Sequence, residues 1–256
     1  MADNSSTTRT NNENNSNTPT GINAAMMFIS RKRTETFLLS IRLATLVFTA
    51  LYLIPFTSFS AINLYQKALL ANAAISALRL HQRLPPFRFS REYLALVFIE
   101  DSAHYLLYSM IFLSNHAITL VLLPIALFAL LHSSSFLHNI LNAMDSNSSI
   151  GNFITNTIGR YQREIFLTIA LTEITLMPTL FFAILSGLAS IFTPFMYYQF
   201  LMLRYSSQRN PYTRQAFHWL RLWFEKTANS PRCPQMGRSV IYKSIEIICR
   251  LAPQPV

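Results

Sequence analysis

Charged residues are scarce in this sequence. Lys, Arg, Asp and Glu make up 12% of 256 residues, and only 11 of the charged residues are acidic against 21 basic. Soluble domains carry about 25% charged residues, so the polar surface is too small for an ordinary water-exposed enzyme. Glycine is the second shortage. With 5 glycines, backbone cradles for phosphate are not expected, and no P-loop, G-x-G-x-x-G turn, G-x-S-x-G elbow or H-E-x-x-H pair is present. The two cysteines, Cys233 and Cys249, lack the number and spacing of a disulfide framework or a zinc site. No catalytic, cofactor or metal assignment therefore follows from motifs, and none is expected.

Apolar sequence is abundant instead. Hydrophobic residues reach 51%, gathered into runs long enough to cross a hydrocarbon core of roughly 30 Å. Strong candidate spans run from Phe37 to Phe59, Tyr93 to Asn115, Ala117 to His138 and Ile165 to Gly187. Two weaker stretches, Ala61 to Leu80 and Leu188 to Leu203, are too polar or too short to settle as crossings, and the first reads as interfacial or re-entrant. Arg42 sits inside the first span and is expected to snorkel toward the headgroups. The expected fold is all-α: a polytopic integral membrane protein of helical hairpins with C-terminal amphipathic helices.

Charge placement sets the organisation. The net charge is +10, and the basic residues fall in the gaps: Arg31 to Arg33, Arg79 to Arg91, Arg160 with Arg163, and nine Lys or Arg from Arg204 to Arg250. The connections near Ser58, Asn115 and Gly187 carry none. By the positive-inside rule, three hairpins dip from the cytosol and return. Residues 1–30 read as an Asn/Ser/Thr-rich disordered leader, with too little apolar surface to offset ordering. Residues 31–203 read as the membrane domain, and 204–256 as a basic cytosolic tail. A nucleic-acid binder has no use for such apolar runs, so nucleic acid is not an expected partner.

Two groups of residues are candidate sites. Glu100, Asp101 and His104 lie within an apolar run, where ionisable groups are costly. Glu100 and His104 are spaced to share a helix face, with Glu173 and His132 as intramembrane partners. Such a cluster can pin helices together by hydrogen bonds, relay a proton or ion, or hold a metal. The second group lies in the tail. Trp219, Leu220, Trp223 and Phe224 share one helical arc opposite Arg221, and a second helix carries Arg238, Lys243 and Arg250 beside its own apolar face. Aromatic residues facing arginines suit a helix in a headgroup layer or a partner-binding surface. Packing on the bundle is the plainer alternative.

Three stretches carry a resemblance: QKALLANAAISALRLHQRLP from Gln66 to Pro85, EDSAHYLLYS from Glu100 to Ser109, and YYQFLMLRYSSQRNPYTR from Tyr197 to Arg214, with RLAP at Arg250 to Pro253. Together they resemble the transmembrane protein 33 family, also called the Krüppel homologue 2 family, whose fungal relatives are pore-membrane proteins of the nuclear envelope. The resemblance implies residence in the endoplasmic reticulum and nuclear envelope. It also implies association with reticulon-like membrane-shaping proteins, a part in tubular membrane organisation and in the stress response, and contact with nuclear pore components or import receptors. It supplies no catalytic residues. The alternative function is proton- or ion-coupled transport through Glu100, Asp101, His104 and Glu173.

Overall fold

A computed structural model describes residues 21–54, 60–86, 88, 90–144, 149–231 and 233–253. Within them the chain forms ten helices: α1 (Ile22–Arg31), α2 (Arg33–Leu53), α3 (Ala61–Arg83), α4 (Arg91–Ile99), α5 (Asp101–Leu113), α6 (Thr119–Ala143), α7 (Ser149–Leu185), α8 (Phe192–Ser206), α9 (Tyr212–Ala228) and α10 (Gln235–Leu251). The leader up to residue 20, the turn near Ser58 and the sequence around Asn147 lie outside the described residues. Helix nevertheless occupies part of the stretch assigned to the leader, because α1 covers Ile22–Arg31 and packs Phe28 on Phe136 of α6, ring centroids 6.0 Å apart.

Hydrogen bonds between helices show which ends lie together. Tyr52, at the end of α2, meets Thr119, at the start of α6, with their hydroxyls 3.0 Å apart. Asn115, in the α5–α6 turn, accepts at Oδ1 from the Thr193 hydroxyl (3.0 Å) and from the Ser190 backbone N–H (3.4 Å) beside the start of α8. At the opposite end Arg83 of α3 and Arg209 beyond α8 both reach Glu100, at 3.0 and 2.6 Å. The hairpins α2/α3, α5/α6 and α7/α8 thus turn at one end, whose described connections hold no Lys, Arg, Asp or Glu, and the arginines gather at the other. We call these the turn end and the basic end.

Three helical stretches are long and apolar enough to cross a membrane: α2, α6 and Asn156–Leu185 of α7. Their surfaces suit lipid. On α2 the buried residues are Leu38, Arg42, Thr45 and Thr49, while Phe37, Leu43, Val47 and Leu53 face outward. A helix with polar residues inside and apolar residues outside is stable in hydrocarbon, not in water.

Packing decides what hydropathy leaves open in α3. It is not apolar enough to qualify as a span, yet its 23 residues make it as long as α2, about 34 Å, and it packs against α2, α5 and α6. Two of its polar residues turn inward, Asn72 donating to the Ser109 hydroxyl at 2.8 Å and Ser76 covered, while Asn63, Gln66 and Lys67 stay exposed. It is therefore packed into the bundle along one face.

The span expected from Tyr93 to Asn115 is not one helix. The chain bends by 81° between α4 and α5, with Glu100 extended at φ −82°, ψ 121°. The break strands the Phe98 carbonyl, and the His104 ring satisfies it by donating from Nε2 at 2.7 Å. The 13 residues of α5 extend about 20 Å, short of a crossing. α4 leaves the bundle with no buried residue and with Leu94, Leu96, Phe98 and Ile99 exposed.

The third hairpin pairs unequal arms. α7 has 37 residues, about 55 Å. At its end the N–H of Leu188 donates to Ala183 O (2.8 Å) and that of Gly187 to Ile184 O (2.9 Å), around Gly187 at φ 72°. This left-handed C-terminal cap favours glycine. α8 has 15 residues. It runs to Ser206, so the boundary drawn after residue 203 cuts through it. Most of the polar stretch from Asn139 to Gly159 is likewise helix at the ends of α6 and α7. Aromatic rings of α5 and α8 fill the middle of the bundle: Tyr108 lies 4.8 Å from Phe112 and 5.1 Å from Phe200, and Phe112 lies 5.4 Å from Tyr197.

Candidate functional site

The acidic residues expected to cluster do come together, around arginines. Arg204, on α8, is 0% exposed. Its Nε donates to Glu173 Oε2 of α7 at 3.1 Å and its Nη1 to Asp101 Oδ1 of α5 at 3.3 Å. Asp101 also accepts from the Ser207 hydroxyl at 3.1 Å. Glu173, itself fully buried, takes a hydrogen bond from the Tyr105 hydroxyl, and its backbone carbonyl accepts from Tyr197 at 2.7 Å. The guanidinium lies 5.2 Å from the centre of the Tyr105 ring.

Helix register builds this site. Asp101, Glu173 and Arg204 each stand twelve residues from the turn-end terminus of their helix, roughly 18 Å along the axis. All three fall at one depth, inside a core of roughly 30 Å. Glu100 belongs to a second knot closer to the surface, between Arg83 and Arg209. Its position before α5 means that Glu100 and His104 do not share a helix face, contrary to the spacing argument. His132 is also elsewhere, with its Nε2 beside Arg79 Nη1 at 3.4 Å.

Three carboxylates therefore face three guanidiniums. The arrangement is suited to fastening α5, α7 and α8 to one another and to the end of α3. Among the described residues no three of His, Cys, Asp and Glu are placed to hold a metal ion. Sequence reasoning missed Arg204 and Arg209 because they follow the last apolar run and read as flanking charge. The signal was Glu173, an intramembrane acid that needs a cation.

The tail is docked, with part of its apolar face left over. α9 packs on α7 through buried Thr213 and Ala216, and Tyr212 stacks on Phe166 at 5.0 Å. Trp219, Leu222 and Trp223 stay exposed and, with Leu220 and Leu171 of α7, line a shallow apolar hollow of about 390 Å³. Phe224 sits against Trp223, ring centroids 5.1 Å apart. Arg221 pairs with Glu225 at 2.8 Å, a hydrogen bond that raises its pKa above the ordinary arginine value. α10 buries no residue. It is held by Arg238 Nε donating to Ala228 O (3.0 Å), by the Tyr242 hydroxyl donating to Asn229 Oδ1 (3.0 Å) and by Tyr198 of α8 donating to Leu251 O (3.1 Å). Lys243 is exposed, and Arg250 pairs with Glu246 at 2.6 Å.

Comparison with known proteins finds relatives over most of the chain. The family model described as Transmembrane protein 33/Nucleoporin POM33 matches residues 17–254. Transmembrane protein 33 of Homo sapiens is 44% identical over 239 residues, covering 93% of this chain and 96% of that protein. Krueppel homolog 2 of Drosophila melanogaster is 43% identical over 224 residues, covering 87% and 80%. The Transmembrane protein 33 homolog of Caenorhabditis elegans is 38% identical over 228 residues, covering 88% and 84%. No solved structure matches.

Proposed function

Because this chain belongs to the Transmembrane protein 33/Nucleoporin POM33 family, we propose that it is a non-enzymatic organiser of endoplasmic reticulum and nuclear envelope membrane. In this reading the basic end faces the cytosol. The protein supports tubular and pore-associated membrane by occupying more area in the cytosolic leaflet than in the luminal one. Its partners are membrane lipids, reticulon-like shaping proteins, and nuclear pore components or import receptors.

The observation that supports this most is the bend at Glu100. It turns α4 through 81° out of the bundle at the basic end, with Leu94, Leu96, Phe98 and Ile99 exposed. A short apolar helix lying across the bundle direction inserts into one leaflet only. α1 adds to the same end, with Ile22, Met26 and Met27 exposed ahead of Arg31, Lys32 and Arg33, and the hollow at Trp219 and Trp223 offers a further apolar contact.

The test uses the full chain reconstituted with phosphatidylcholine and phosphatidylserine into vesicles of two diameters. Enrichment on the smaller vesicles is expected, weakened by Leu94→Ser with Phe98→Ser and less strongly by Trp219→Ala with Trp223→Ala. Equal density on both sizes would overturn the reading.

A further inference from the structure

The bend between α4 and α5 lacks a local cause. Residues 91–113 contain neither Pro nor Gly, the residues at which helices ordinarily kink. Taken together the two helices are apolar enough to cross a membrane. A continuous helix of that length would extend about 34 Å, the length of α3, against which α5 packs. α4 has no buried residue, so core packing does not fix its direction either. Bent, its apolar side chains lie in one leaflet; straight, they would lie along the hydrocarbon. Both positions keep them out of water.

The bend is held by a small set of contacts at the hinge. In an unbroken helix the Phe98 carbonyl accepts from the N–H of residue 102, and His104, six residues on, points to another face. The hydrogen bond from His104 Nε2 to Phe98 O, 2.7 Å, therefore belongs to the bent form alone. Glu100, at the hinge itself, receives Arg83 of α3 on Oε2 (3.0 Å) and Arg209 on Oε1 (2.6 Å). Asp101 receives the Ser207 hydroxyl at 3.1 Å. Ser207 and Arg209 both belong to the link between α8 and α9. That link is thus seated on the two residues at the break, and α9 continues from it onto α7. A displacement of α9 that draws the link away takes one arm of the clamp from Glu100.

We infer that α4 and α5 form a two-position element, bent while the tail is docked and straight when it is displaced. Its catch is His104 on Phe98 together with the Arg83–Glu100–Arg209 clamp. The element presupposes α4 as a leaflet insertion, as proposed above, and makes that insertion conditional on the tail: displacing α9 withdraws the wedge.

The test measures the distance between spin labels at Glu92→Cys and Leu113→Cys in the full chain, carrying Cys233→Ser and Cys249→Ser, in flat lipid nanodiscs. The backbone separation is about 24 Å at the observed 81° bend and about 31 Å in a straight helix. Wild type should give mainly the shorter distance. The fraction at the longer one should rise about fivefold in His104→Leu and in Arg209→Ala. His104→Gln keeps a donor and should return it toward wild type. Arg209 is half-exposed, so its replacement leaves the core intact where a change at buried His104 could disturb it. Arg221→Gln, whose partner is Glu225 of its own helix, should leave the distribution as in wild type. An unchanged distribution in Arg209→Ala would overturn the inference, as would an equal rise in Arg221→Gln. Nanodiscs present no curvature, so the two readings fail separately. Equal density on vesicles of both sizes removes the wedge and leaves the distances standing, whereas unchanged distances remove the two positions and leave the wedge.

Discussion

Arg204 and Arg42 lie at similar depths, twelve residues from the turn-end terminus of α8 and eleven from that of α2. Their surroundings differ. Arg204 has a carboxylate on each side, a hydrogen-bonded tyrosine behind one of them and a serine behind the other. Arg42 has a second arginine nearby and, among the described residues, no carboxylate paired with it. A membrane bundle can neutralise a buried charge with acids of its own, making the contact a fastener, or leave it without one. The α5/α7/α8 side does the first and the α2/α3/α6 side the second.

Substitutions separate the two sides. Arg204→Met should produce the largest effect, because it leaves Glu173 buried without its cation. Breaking one side of a buried pair costs about 3–5 kcal/mol, and thermal unfolding in neutral detergent should show it. Adding Glu173→Gln to Arg204→Met should restore much of the loss. Arg42→Met should act in the other direction under the same conditions, leaving the midpoint unchanged or raised, since it removes an uncompensated charge. A fall as large as that of Arg204→Met would end the contrast. A smaller fall than that of Arg204→Met is expected from Asn115→Ala, which touches neither arginine. Losing its hydrogen bonds to Thr193 and the Ser190 N–H should lower stability by about 1 kcal/mol.

The sequence made the long apolar helices and the tight α5–α6 turn legible because composition alone decides them. It did not make α3 legible. Its low hydropathy left it unsettled, and a linear reading does not show that Asn72 turns inward to meet Ser109. The break at Glu100 was hidden by the continuity of apolar residues on either side, since hydropathy averages across a residue whose backbone is extended. Asp101 and Glu173 were recognisable as costly, but not their partner. Arg204 lies one residue beyond the last apolar run, and nothing in a linear reading places it between two acids on other helices. In the tail, the aromatic arc of α9 was visible in the periodicity, whereas its division between Ala216 against α7 and exposed Trp223 is a matter of packing.

The length of α7 has a mechanical consequence. A helix of 37 residues is about 25 Å longer than the hydrocarbon it crosses. Measured from Leu185 at the turn end, the surplus stands clear of the lipid on the basic side, carrying Arg160 and Arg163 with it. The helix is therefore also a mast. A protein held near Ser149 would be kept at a fixed stand-off from the bilayer, and a tilt of the mast within the membrane would be magnified into a sideways sweep at its tip.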